Sequence, residues 1–273
     1  MLKTRVITAV VLLAILLPVT LYAPIGGFGA LIAFIVVFAA WEWARLLKLP
    51  GTGPIVYAVV AALALVASTK LGIGLVAPRP LFEAAAIFWV LVGPFVLLRK
   101  PVLAAGGWRV FLLAAGLVVF TACWHALVAA RLTGVAFVLS LLLVVWLADI
   151  GAYFAGKAFG KHKLAPSISP GKTWEGAVGG WIAVIVVALI AAATRAFEPT
   201  LFLALLDHLG SLRTLIALTL LVAFSIVGDL FESMLKRQAG VKDSSGLLPG
   251  HGGVLDRIDA LLPVLPLAML LLG

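Results

Sequence analysis

Apolar runs of about span length, separated by short polar breaks, recur from one end of the chain to the other. A helix needs about 20 consecutive apolar residues to cross a hydrocarbon layer about 30 Å thick. On that criterion the pattern predicts an all-α, polytopic integral membrane protein of about nine transmembrane helices. They fall at 5–22, 26–46, 55–76, 81–98, 109–130, 135–155, 175–194, 212–235 and 258–272. The ninth run is short and carries Pro263 and Pro266, so it is expected to tilt or to span only in part. The first run exceeds the 7–15 apolar residues of a signal peptide and no A-x-A site follows it, which reads as a retained span. No internal repeat is visible. The simplest organisation is one membrane domain over 1–273, with scaffold spans in 1–130 and a catalytic half in 131–273.

Composition sharpens this picture. Only 11% of residues are charged, against about 25% in soluble domains. The net charge of +9 comes from bases scattered through short loops. No separate basic domain exists, so nucleic acid is not an expected partner; orientation, anionic lipid and phosphate ligands are. With the N-terminus inside, 15 of the 20 Lys and Arg residues lie on the inner side. The positive-inside rule therefore predicts a cell-membrane protein with its N-terminus and its two long loops, after spans six and eight, in the cytoplasm, and its C-terminus outside. The lone Cys123 excludes an intrachain disulfide and a cysteine zinc cluster, and is expected to be a small buried residue. His125 and His208 are expected to be structural or solvated. Glu42, between Trp41 and Trp43 at a span end, is most simply interfacial.

Residues 225–259, SIVGDLFESMLKRQAGVKDSSGLLPGHGGVLDRID, break the apolar pattern most sharply. Five acids (Asp229, Glu232, Asp243, Asp256, Asp259) sit among four bases (Lys236, Arg237, Lys242, Arg257). Ionisable groups in a bilayer cost about 2.5–3.5 kcal/mol each on insertion scales, so such a cluster has a use. On a helix, Asp229, Glu232, Ser233 and Lys236 share one face. Asp229 lies 16 residues beyond Arg213, about 24 Å along a helix, near or within the hydrocarbon slab. Asp256 and Asp259 are also three apart. Buried carboxylates that approach one another repel, and a divalent cation resolves the conflict. Oxygen ligands without thiolates indicate Mg²⁺, with Mn²⁺ as the alternative, and not zinc. The neighbouring bases indicate a phosphoanion. Glycines in Gly250-His251-Gly252-Gly253 let backbone N–H groups approach a phosphate, while His251 either bonds phosphate or caps the turn.

A second polar segment follows span six. Asp149, Tyr153 and Gly156 share a helical face at its end. Beyond them, SISPGKTWEG (167–176) offers Ser169, Lys172 and Thr173 as a phosphate-contacting loop, with Trp174 as an interfacial anchor. No Walker A sequence is present.

The stretch from Ser233 through Leu235-Lys236-Arg237, Lys242-Asp243, Leu248-Pro249, His251-Gly252-Gly253 and Asp256-Arg257-Ile258-Asp259 resembles the phosphatidate cytidylyltransferase (CDP-diacylglycerol synthase) family. About a dozen positions match over 27 residues. SPGKTWEG resembles the same family; residues 1–130 match it only in hydrophobic character. The resemblance implies the reaction CTP + phosphatidate → CDP-diacylglycerol + pyrophosphate, with CTP, phosphatidic acid and the lipid bilayer as partners. It implies Asp229 and Asp256 as metal ligands, with Asp259 as a ligand or neighbouring group. Ser233, Lys236, Arg237, Lys242 and Lys172 would contact phosphates. Asp229, Lys236, Arg237, Lys242 and Asp256 form the expected catalytic set; Ser169, Lys172, Thr173, Ser233, His251, Gly252, Gly253 and Arg257 form the expected substrate-binding set. The acids leave room for a second cation, and a homodimer is compatible with the sequence.

Two alternatives use the same charges. An ion-coupled transporter would place intramembrane carboxylates at a coupling ion, and would favour inverted repeats and paired broken helices. A CDP-alcohol phosphotransferase would carry a D-G-x₂-A-R-type acidic motif, which is absent.

Overall fold

Without water to satisfy backbone N–H and C=O groups, an apolar run in a membrane closes its own hydrogen bonds as a helix. The structure, a computed structural model, shows this throughout and describes residues 2–70 and 79–273, apart from the side chains of Leu2, Lys3 and Arg5. Residues 71–76 of the expected third span therefore lie outside the described residues, as do the side chains of Lys3 and Arg5, two of the bases on which the expected orientation rests.

The helices are α1 (Leu2–Tyr22), α2 (Ile25–Leu46), α3 (Gly53–Ser68), α4 (Arg79–Ile87), α5 (Gly93–Arg99), α6 (Gly106–Thr133), α7 (Val135–Phe159), α8 (Trp174–Thr194), α9 (Leu201–Leu209), α10 (Ser211–Ala239), α11 (Leu255–Ile258) and α12 (Leu261–Leu272). A π-helical turn, Phe88–Val92, joins α4 to α5 into one rod. Among the described residues six helices are long and apolar enough to cross a membrane: α2, the α4–α5 rod, α6, α7, α8 and α10. Two more, Val6–Tyr22 within α1 and α3, are apolar but shorter. The ninth expected span is α12, whose 12 residues rise only about 18 Å. It lies inside the bundle, with Leu262, Val264, Leu265 and Ala268 at most 2% exposed. The carbonyl of Gly273, just beyond the helix, accepts a hydrogen bond from Arg79 at 2.6 Å.

Between α7 and α8 the chain forms a small antiparallel hairpin, β1 (Lys163–Ala165) and β2 (Ser169–Thr173), the one sheet among the described residues. Thr173 ends it and caps α8, its hydroxyl accepting from Gly176 N–H at 3.1 Å.

Three packing features position the polar end of the bundle. First, α7 and α8 approach backbone to backbone. A Cβ on Gly151 would stand 2.8 Å from the Gly179 carbonyl, and one on Gly176 2.9 Å from the Ala152 carbonyl. Small residues allow this contact, as in other membrane helix pairs. Second, α10 meets the start of α12 at Gly228, where a Cβ would lie 2.5 Å from the Asp259 carbonyl. That glycine sets Asp259 beside Asp229. Third, Phe231 on α10 stacks on Trp43 of α2 at 5.7 Å and meets Trp89 edge-on at 5.5 Å. Trp43 donates to the Leu112 carbonyl and Tyr57 to that of Leu113, which fastens α2 and α3 to α6. The early helices thus clamp the back of α10, and its acidic face turns the other way.

Candidate active site

Asp229, Glu232, Ser233 and Lys236 rise along α10 as consecutive steps of one face. Asp229 pairs with Lys172 of β2 at 2.5 Å and accepts from Ser233 Oγ at 3.3 Å. Lys236 pairs with Glu232 one turn below it and with Asp256 Oδ1 at 2.6 Å. Asp256 Oδ2 in turn accepts from Gly253 N–H (2.7 Å), Ser244 N–H (2.9 Å) and Ser244 Oγ (2.9 Å). Burial pushes the Asp256 carboxyl up, but Lys236 and these donors outweigh it and hold the group below the ordinary carboxylate range. Asp256 is therefore a fixed anion. Asp259 accepts from the Ala260 N–H at 2.8 Å and lies within electrostatic reach of Asp229, Lys236 and Lys172.

The remaining expected residues surround this cluster. Gly252 takes a left-handed conformation, φ +81°, and bonds Leu248 through its carbonyl at 2.8 Å. The N–H of Gly253 is engaged by Asp256, so this turn spends that donor on shaping the site. The His251 carbonyl accepts from Arg257 at 2.9 Å, while His251 Nδ1 is buried without a partner among the described residues. Arg237 donates to the Ile168 carbonyl at 3.3 Å and so ties α10 to the hairpin. Lys242 is exposed on the loop beyond α10. Ser169 closes the hairpin opposite Ala165, and Thr173 is held as the α8 cap.

Glu42 departs from expectation. It is 0% exposed, not interfacial. From α2 it crosses to the distant loop: Oε1 accepts from Ser245 Oγ (2.5 Å) and Val254 N–H (3.0 Å), and Oε2 from Leu255 N–H (2.5 Å); Ser244 Oγ, 3.1 Å from Oε2, shares its one proton between Glu42 and Asp256. It caps α11 and pins the loop that carries Asp256. An acid between two tryptophans at a span end was the available signal, but its partners lie more than 200 residues away. Cys123 is buried as expected; of the two readings open for His125 the structure shows the structural one, buried with Nε2 3.0 Å from Ser68 Oγ.

Two cavities open on the cluster. One, of about 380 Å³ between α7, α8, α10 and the hairpin, is lined by Lys172, Thr173, Asp229 and Asp149. The other, of about 540 Å³ between α1, α2 and α7, ends on Asp149, Asp256, Asp259, His251 and Arg257. Asp149 borders both and lies within electrostatic reach of Asp229, Lys172 and Arg257.

The donor set bears on the expected cation. Among the described residues no three His, Cys, Asp or Glu groups converge closely enough to enclose a metal ion. The three expected ligands Asp229, Asp256 and Asp259 therefore do not enclose an ion by themselves; Mg²⁺ needs only one or two carboxylates and leaves other positions to water and phosphate. Five acidic side chains (Asp149, Asp229, Glu232, Asp256, Asp259) share this end of the bundle with three basic ones (Lys172, Lys236, Arg257). Glu232 Oε1 is buried without a hydrogen-bond donor. Unmatched buried carboxylate oxygens are costly unless a cation meets them.

The fold and this cluster define a helical membrane protein with a carboxylate–lysine site at one end of its bundle. Comparison with known proteins narrows the class: a model described as the cytidylyltransferase family matches residues 3–273. The chain is 42% identical over 278 residues to a phosphatidate cytidylyltransferase of Pseudomonas aeruginosa, covering 100% of this chain and 97% of that protein. It is 50% identical over 133 residues to one of Haemophilus influenzae (49% and 44% covered), and 46% over 143 residues to one of Staphylococcus saprophyticus (52% and 51%). The chain belongs to the cytidylyltransferase family. That membership disfavours the transporter alternative.

Proposed function

We propose that this chain transfers the cytidylyl group of CTP to phosphatidate within a membrane. A phosphate oxygen of the lipid attacks the α-phosphorus of CTP, the bond from that phosphorus to the bridging oxygen breaks, and pyrophosphate leaves as CDP-diacylglycerol forms. The observation that carries the reading is the meeting of two cavities at Asp149, beside lysines paired with carboxylates, in a chain that resembles phosphatidate cytidylyltransferases from end to end.

Phosphate monoesters have a second pKa near 6, so the nucleophile is largely ionised at neutral pH and no strong base is required. Alignment and charge neutralisation are the remaining tasks. Lys172 and Lys236 hold ammonium groups against Asp229 and Asp256 and present the same charge to incoming phosphates. Lys242, exposed on its loop, meets the nucleotide on entry. Asp229 and Asp256, with Asp259 beside them, would hold Mg²⁺, or Mn²⁺ in its place. When bound, the ion neutralises phosphate charge as the leaving group departs. Glu42 keeps Asp256 in place by holding its loop, and Gly252 gives that loop its turn.

The active end and the N-terminus face the cytoplasm and the C-terminus lies outside, a reading supported by the asymmetry of the bases. The test is incubation of the purified protein with α-labelled CTP, phosphatidate and Mg²⁺. Label should appear in a lipid extractable into organic solvent, with one pyrophosphate released per label incorporated. Label that stays water-soluble at every phosphatidate concentration would sink the reading.

A further inference from the structure

We propose that the cavity between α1, α2 and α7 is the acyl-chain site for the lipid substrate, with α1 as its membrane-facing wall. This rests on the reaction proposed above and adds where, and by which helices, the lipid is recognised.

The cavity is graded along its length. Its walls are hydrocarbon: Leu12 and Leu16 of α1, Phe34 and Phe38 of α2, Trp146 of α7. Phe34 is 62% exposed, so the walls are continuous with the outer surface of the bundle. The far end changes character within a few residues to Arg257, His251 and the carboxylates Asp149, Asp256 and Asp259. A ligand that fills it is apolar along most of its length and polar at its tip, where Arg257 is the cation that can meet a phosphate. The buried His251 Nδ1, with no partner among the described residues, points to a polar group of that ligand. A lipid whose headgroup is a bare phosphate fits this gradient. Its chains occupy the helical walls, and its phosphate reaches the cluster beside Arg257.

The other cavities fit the lipid tail less well. The one holding Lys172 and Asp229 is smaller and lies against the tight α7–α8 contact and the hairpin. A third, of about 440 Å³ beside Lys100 and Ser167, is apolar but borders none of the acids of the site. A lipid there would leave its phosphate away from Asp229 and Asp256.

Helix α1 is suited to be a wall that lipid can pass. Val6, Ile7, Val10 and Val11 are 49–62% exposed, and Thr20 is its one buried polar side chain among the described residues. Its polar tie to the active loop is a hydrogen bond from Thr8 Oγ1 to the Pro249 carbonyl at 2.8 Å. Pro249 lies two residues before His251, so the position of α1 is linked to the turn that would meet the lipid phosphate.

The experiment compares phosphatidates with 8-carbon and 16-carbon chains in mixed micelles at saturating CTP. Leu12→Trp, which fills the groove, should raise KM for the 16-carbon lipid roughly tenfold, the scale of one lost leucine-sized apolar contact. The 8-carbon lipid and CTP should change by less than about twofold, within surface-substitution scatter. Leu98→Trp, at the third cavity, should leave all three constants unchanged. An equal rise for both chain lengths, or the same selectivity from Leu98→Trp, would overturn the assignment. Should Leu12→Trp fold poorly, the wild-type protein is photolabelled with a phosphatidate carrying a diazirine at its chain end. Adducts in 9–16 and 31–38 uphold the groove, whereas adducts confined to 97–98 and 164–177 refute it. Labelling of α1 by a protein that makes no CDP-lipid would keep the groove and sink the reaction instead.

Discussion

Glu42 shows how much one buried side chain organises. Two backbone N–H groups and the Ser245 hydroxyl depend on its carboxylate, while the Ser244 hydroxyl keeps Asp256 as a second acceptor. Truncation would leave the dependent groups unmatched in a buried setting, at about 1–3 kcal/mol per stranded group. Glu42→Ala is expected to lower the thermal midpoint in detergent and to cost at least about 2 kcal/mol of stability. Glu42→Gln, which keeps one carbonyl acceptor, should recover part of both stability and turnover; a Glu42→Ala protein as stable and active as wild type would show that the loop holds itself. Asp229→Asn and Asp256→Asn test the proposed site directly. Each removes a charge facing a lysine and should reduce turnover by about 10²-fold or more, the scale of one lost transition-state stabiliser. Near-normal turnover at matched protein levels would remove that residue from the site. These aspartates were legible in the sequence because they crowd into one 35-residue stretch with their bases. Glu42 was not, because a span-end acid flanked by tryptophans has the same local pattern whether it faces headgroups or a loop 200 residues away.

At the scale of elements, hydrophobic runs foretold the helices well, since a membrane leaves the backbone few other options. What they foretold only in part was depth. The short α12 run, with its two prolines, was expected to tilt or to span in part; it is a 12-residue helix buried inside the bundle, its start set against α10 at Gly228. The β1–β2 hairpin was likewise read only as a loop; its three- and five-residue strands are too short to produce a periodic signal. The α7–α8 pair is the element contact on which the site leans most, because α7 carries Asp149 and the hairpin joining the two carries Lys172. Gly151→Val places side-chain atoms where the Gly179 carbonyl and Ala183 now stand. The expected cost is about 1–3 kcal/mol of overpacking, together with a fall in kcat as Lys172 is drawn away from Asp229. Gly107→Val meets no neighbour within 4 Å and serves as the control. If both variants match wild type in thermal midpoint and kcat, the close helix approach is not required.

For the whole molecule, two unlike substrates must reach one place: CTP dissolved in water and phosphatidate held in the bilayer. The polar end of the bundle must first be shown to face CTP. Single cysteines at the exposed Ser167 and Leu247, in a Cys123→Ala background, should react with an impermeant thiol reagent from the cytoplasmic side; one at Phe197, 84% exposed at the opposite end, should react from outside. The reverse pattern in intact cells would invert the proposed orientation. With sidedness fixed, the two cavities make separable demands. Lys172 lines the cavity bounded by the hairpin and does not border the groove between α1, α2 and α7. If CTP occupies the former and lipid tails the latter, Lys172→Ala removes a phosphate-facing ammonium from the nucleotide alone. It also releases Asp229 from its 2.5 Å ion pair, so some loss of kcat is expected as well. The discriminating quantity is therefore the ratio of the two KM changes, not their size. KM for CTP should rise by about tenfold, the equivalent of about 1.4 kcal/mol of binding. KM for phosphatidate, measured by surface fraction in mixed micelles, should stay within about twofold. Equal rises in both would mean that a single phosphate pocket serves nucleotide and lipid in turn, and that the cavities meeting at Asp149 do not divide the substrates between them.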